Sequence, residues 1–122
     1  VNKVQAPNKV SQQQLTGASG QPVTIIRFVG DISSASKDAV VGTYEALDKA
    51  THQHILLDFK GVEYLNSSGI ALVIQVLMEA SKAGQKVAIC GLTPHFTKVF
   101  TMVGITKYAT LYADEAAALA AL

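Results

Sequence analysis

His54-Ile55-Leu56-Leu57-Asp58-Phe59-Lys60-Gly61-Val62-Glu63-Tyr64-Leu65-Asn66-Ser67-Ser68-Gly69-Ile70 holds a buried strand, a turn and the start of a helix in one unbroken run. Residues 54–59 are almost continuously apolar, the pattern of a strand covered on both sides. Lys60-Gly61 reads as a turn. From Ser67 to residue 83, Ile70, Val73, Ile74, Leu77 and Met78 recur at helical spacing, and Gly84 stands at the expected C′ position. Asn66-Ser67-Ser68-Gly69 therefore presents two hydroxyls at a helix N-terminus, where backbone N–H groups are unpaired and the helix dipole is positive. Taken alone, the tetrapeptide reads first as a cap, since Asn and Ser are good N-caps and glycine lets a helix start pack closely.

The same grammar extends both ways from this strand-to-helix step. Upstream, residues 23–29 (VTIIRFV) are β-branched and aromatic and end at Gly30-Asp31, which predicts a strand. Ser33, Ser34 and Ser36 offer N-caps for a helix over residues 38–50, with Val40, Val41, Tyr44 and Leu47 on one face and Gly42 weakening it slightly. Downstream, residues 86–90 (KVAIC) form another buried strand, and Thr93-Pro94 supplies an N-cap with proline at N1. Phe96, Val99, Phe100 and Val103 make an apolar stripe that stops at Gly104. Residues 110–112 read as a last strand, and Asp114 caps an alanine-rich helix with Leu119 and Leu122 as core contacts.

Residues 1–21 form a polar amino-terminal segment in which 10–15 predict an edge strand; residues 22–122 form one domain. The order β-β-α-β-α-β-α-β-α implies an α/β fold. Its sheet is mostly parallel through right-handed crossovers, with an antiparallel N-terminal edge strand and about four flanking helices.

Composition narrows the function. At 122 residues the chain suits a single domain, and 49% hydrophobic against 16% charged residues implies a compact core with apolar surface to spare. The net charge is +1 and the lysines are scattered, so nucleic acid is not an expected partner. Cys90, the single cysteine, lies in an apolar run and supports neither a disulfide framework nor Cys-x-x-Cys chemistry. No apolar run approaches the roughly 18 residues that span a bilayer, and residues 1–14 lack the pattern of a signal peptide, so a cytoplasmic location without membrane insertion is expected.

Catalytic and cofactor motifs are also missing. Neither G-x-x-x-x-G-K-[ST] nor G-x-G-x-x-G follows any of the strands. Asp31 and Asp58 alone make a poor phosphoaspartate cluster. His52, His54 and His95 have no carboxylates at metal-ligating spacing. Ser67 lacks the glycine of a G-x-S-x-G elbow and an acid placed before a downstream histidine, which argues against acyl transfer. No catalytic residue, metal or cofactor is expected.

Residues 57–70 (LDFKGVEYLNSSGI) resemble the signature of STAS domains, found in bacterial anti-sigma-factor antagonists and sulfate-transporter tails. In that pattern a buried strand ending in Asp leads through a Val-centred turn to Asp-Ser-Ser/Thr-Gly at a helix start. Gly30-Asp31-Ile32 and residues 100–105 (FTMVGI) match further, and the resemblance covers residues 22–122. It implies a non-enzymatic interaction module, an anti-sigma-factor antagonist or similar partner-switching regulator. Ser67 is then the phosphoacceptor of a serine kinase that is also the anti-sigma factor, and a PP2C-type phosphatase reverses the modification. Asp31, Ile32 and Ser33 would form the partner surface together with Asn66, Ser67, Ser68 and Gly69. The alternative that the resemblance implies is an unphosphorylated structural STAS subunit of a larger complex, such as lipid-transport machinery. Asn66 departs from the family's usual Asp, keeping a capping oxygen without its charge, and Ser33 stands where a second Asp is common.

Overall fold

The structure, a computed structural model, describes residues 9–122. Five strands form one sheet in chain order: β1 (Lys9–Thr16), β2 (Pro22–Ile32), β3 (His54–Leu65), β4 (Lys86–Cys90) and β5 (Ala109–Tyr112). β1 pairs antiparallel with β2, and β2 to β5 run parallel, as the sequence predicts. The helices are α1 (Lys37–Glu45), α2 (Ser67–Lys82), α3 (Pro94–Met102) and α4 (Glu115–Ala121). Each parallel step moves one place in the same direction, so right-handed crossovers put α1, α2 and α3 on one face. Among the described residues only α4, which follows the last strand, returns across the other.

Strand alternation divides the core accordingly. Ile26, Phe28, Ile55, Leu57, Phe59, Val87 and Ile89 face the three crossover helices, packing with Tyr44, Leu77 and Phe100. Phe59 joins Phe28 and Phe100 through ring centroids 5.0 and 5.7 Å apart. On the opposite face Val23, Ile25, Leu56, Ala88 and Cys90 are covered by Ala118, with Leu119 and Leu122 partly buried beside it. The expected contacts of the last helix are thus present, with Ala118 added at their centre.

Two strands and three helices differ from their sequence expectation. The first strands run on: β2 continues through Gly30-Asp31 to Ile32, and β3 passes Lys60-Gly61 without turning. The irregularity reads out as register shifts between β2 and β3, and the Asp58 carboxylate accepts from the Lys60 N–H at 2.9 Å, filling the gap in the ladder. Second, α1 stops at Glu45, short of residue 50. Asp48 accepts the Ala50 N–H, and Lys49 Nζ donates to the carbonyls of Tyr44, Glu45 and Leu47, so side chains satisfy a helix end that sequence periodicity alone would prolong.

Third, α2 is rotated relative to the expected stripe. Leu72, Val73, Val76, Leu77 and Ala80 are buried, Ile70 and Ile74 half-buried, and Met78 exposed. α2 ends as expected, in a Schellman motif. The Gly84 N–H donates to Ser81 and the Gln85 N–H to Ala80, which requires the left-handed φ of +76° that Gly84 adopts. In α3 only Phe100 is fully buried, and Val103, at the helix end, is exposed.

Candidate functional site

The carboxyl ends of β2 and β3 lie side by side, with Asp31 in register with Tyr64 and Ile32 with Leu65. This pairing gathers all seven expected partner-surface residues at one end of the sheet. Beyond Ile32 the chain turns at Ser33, whose hydroxyl accepts from the Ala35 N–H while the Ser36 hydroxyl accepts from the Ser33 N–H. This capping box closes a turn of 3₁₀ helix over Ser34–Ser36 and leads into α1. Ser36, buried within it, also donates to the Asp31 carbonyl. The sequence offered Ser36 only as a cap; here its hydroxyl also ties the two ends of the Asp31–Ser33 segment together.

Asn66 is the N-cap of α2, its side-chain oxygen accepting from the Gly69 N–H at 2.8 Å. Its own N–H donates to the Ile32 carbonyl at 3.3 Å, tying the start of α2 to the end of β2. Gly69 is buried against the same carbonyl. A Cβ there would collide with the Ile32 carbonyl oxygen and stand 2.9 Å from Leu65 Cδ1, so the close approach excludes any larger residue. The bonds that fix this junction therefore come from Asn66, Gly69 and Ile32, which leaves Ser67 and Ser68 exposed in the first turn. No acidic residue occupies that turn, so nothing within the helix neutralises its positive end.

Tyr64, more than half exposed beside Asp31, belongs to the same surface. It escapes a reading that ends the strand at Phe59, and strand alternation carried past Gly61 is the signal that finds it. On the other sheet face, a cleft of about 610 Å³ is lined by Asp58, Lys60, Gly91, Leu92, Asp114 and Glu115, and none of the expected site residues reaches it. Arg27 bridges Asp58 at 3.5 Å and Glu115 at 2.7 Å beside it.

Cys90 is buried next to Asp58, and burial first, then that carboxylate's charge and hydrogen bond, push its thiol up to about 12. His52 accepts or donates a hydrogen bond with Thr24 at 2.6 Å, far along the sheet from Ser67. Among the described residues no three His, Cys, Asp or Glu side chains are grouped to hold a metal ion, and no helix is long and apolar enough to cross a membrane.

The family model of the STAS domain matches residues 14–118. The chain belongs to the STAS-domain family. One relative of this STAS protein is an anti-sigma F factor antagonist from Paenibacillus polymyxa, 27% identical over 101 residues, spanning 82% of this chain and 86% of the relative. The fold is shared with a crystal structure of an anti-sigma factor antagonist from Mycobacterium paratuberculosis, at TM-score 0.72 and 18% identity over 95% of this chain and 96% of that one. It is shared also with the Bacillus cell fate determinant SpoIIAA in its phosphorylated form, at TM-score 0.66 and 18% identity over 89% of this chain and 96% of that one. At these identities the two structures speak for the fold.

Proposed function

We propose that this STAS domain is an anti-sigma-factor antagonist, a non-enzymatic cytoplasmic regulator that binds an anti-sigma factor with serine-kinase activity and is switched by phosphorylation of Ser67. The observation that carries the reading is the exposed Ser67 at the start of α2, in a junction whose structural bonds are made by its neighbours. The role of the Paenibacillus polymyxa relative supports the partner class. Asp31 and Ser33 on one side and Asn66, Ser67 and Ser68 on the other form the docking surface, while Ile32 and Gly69, expected on it from the sequence, are buried and support it from beneath.

Phosphorylation adds about −1.5 to −2 charges at pH 7. The domain accommodates it, because the first turn of α2 favours an anion by about 0.3–1 kcal/mol. A docked partner would instead have to desolvate that charge, with a penalty of about 2–5 kcal/mol, and about 1.4 kcal/mol is a tenfold change in affinity. The bound complex is thus released without unfolding either protein, and a PP2C-type phosphatase restores binding.

Phosphopeptide mapping after incubation with ATP and the cognate kinase tests the assignment. Phosphate on Ser67 is expected; phosphate elsewhere, or none, refutes it. Asn66 makes a second point measurable: Asn66→Asp restores the carboxylate beside the acceptor while keeping the cap, so a kinase that reads that charge phosphorylates this variant faster.

A further inference from the structure

We infer that the outer edge of β5 is a strand-addition site for an extended segment in which acidic and apolar residues alternate. Among the described residues β5 ends the sheet, and nothing pairs with its far side. The Lys86 N–H bonds the Gln53 carbonyl on the β3 side and the Gly91 N–H the Ala113 carbonyl past the end of β5, so Val87 and Ile89 face β5. In register with Ala109 and Leu111, they bond Thr110 and Tyr112, which turns the N–H and C=O of Ala109 and Leu111 outward. An unpaired edge of this kind is a template for a further strand.

Both faces beside this edge are hollowed. On the α3 side lies a cleft of about 540 Å³ floored by Leu92, Pro94 and Leu111 with Lys98 at its rim. On the α4 side a second cleft, of about 340 Å³, is lined by Lys86, Lys107 and Thr110. An added strand sends successive side chains to opposite faces, so one set of its residues enters the apolar cleft and the other meets Lys86 and Lys107. No Asp or Glu side chain lines either cleft, whereas all three lysines are exposed. This charge asymmetry selects an acidic partner segment over a neutral or basic one. The four-residue length of β5 limits the added pairing, which suits a reversible contact.

The inference does not depend on Ser67. It is tested by titrating the full chain with a blocked Glu/Val alternating peptide of about eight residues, long enough to match one strand. A Lys/Val peptide of the same length serves as the comparison. The Glu/Val peptide is expected to bind at least about tenfold more tightly at physiological salt, with the preference reversed by the double change Lys86→Glu and Lys107→Glu.

In amide-exchange spectra, Ala109 and Leu111 gain protection on binding. N-methylation of one alternate set of peptide residues abolishes binding and of the other set leaves it, because only one set donates to β5. Equal binding of the two peptides, tolerance of both N-methylated series, or amide changes confined to the Ser67 end would overturn the proposal.

Discussion

At Ser67 the division of labour between adjacent residues decides what a substitution does. Asn66 and Gly69 hold the helix start while Ser67 is exposed, so Ser67→Asp is expected to alter unfolding free energy by no more than about 0.5 kcal/mol. Capture of the kinase weakens at the same time. A large loss of stability in a urea titration would instead make Ser67 a structural residue. Ser67→Ala keeps the surface uncharged, so it leaves capture intact and locks the protein in its binding form; indifference of cells to this change would favour a structural STAS subunit. Asn66→Ala removes the cap and is expected to destabilise the domain by about 1 kcal/mol. Gly69→Ala drives a methyl into the Ile32 carbonyl and is expected to lose about 1–3 kcal/mol in the same titration, although alanine is the better helix former.

Among the elements, the sequence was most legible where one local rule acted alone. β4 and α2 follow from an apolar run and a capped periodic run, and they occur where those patterns place them. What escaped was set by contacts between elements. Lys60-Gly61 has turn composition, yet pairing with a long β2 and the Asp58 carboxylate keep β3 extended. Met78 lies on the periodic stripe, yet the sheet is reached by Leu72, Val76 and Ala80, so Met78 stays exposed.

The junction at Asn66 was legible because its motif is local. The Arg27–Asp58–Glu115 group was not, because it joins β2, β3 and α4 across the whole chain. Arg27→Leu strands the mostly buried Asp58 without its cation and is expected to destabilise by about 1–3 kcal/mol. Glu115→Gln removes only a part-exposed partner, with an effect below about 1 kcal/mol. Thermal unfolding of the two variants checks this order, and equal losses would refute it.

For the whole molecule, three helices on one face and one on the other leave the carboxyl ends of β2 and β3 as the meeting point of the capped strand-to-helix junction and the exposed hydroxyls of α2. The two faces share one alkaline weakness. Burial, with smaller contributions from Glu79 and Glu45, raises the Tyr44 phenol from 10.0 to about 12, and burial raises the Cys90 thiol from 9.0 to about 12. The unfolded chain releases these protons more readily, so their stabilising contribution is complete below about pH 9 and lost as pH rises toward about 12. The melting temperature should fall across that window, and Tyr44→Phe should flatten the fall.

The central claim is that charge on Ser67 releases a partner from an otherwise unchanged domain. Its most direct test is calorimetric titration of the anti-sigma factor kinase with the unmodified and the Ser67-phosphorylated protein. The account predicts that phosphorylation weakens binding by at least about thirtyfold, the lower end of the 2–5 kcal/mol penalty for burying an unpaired charge, with the melting temperature nearly unchanged. Equal affinities for the two forms would contradict it.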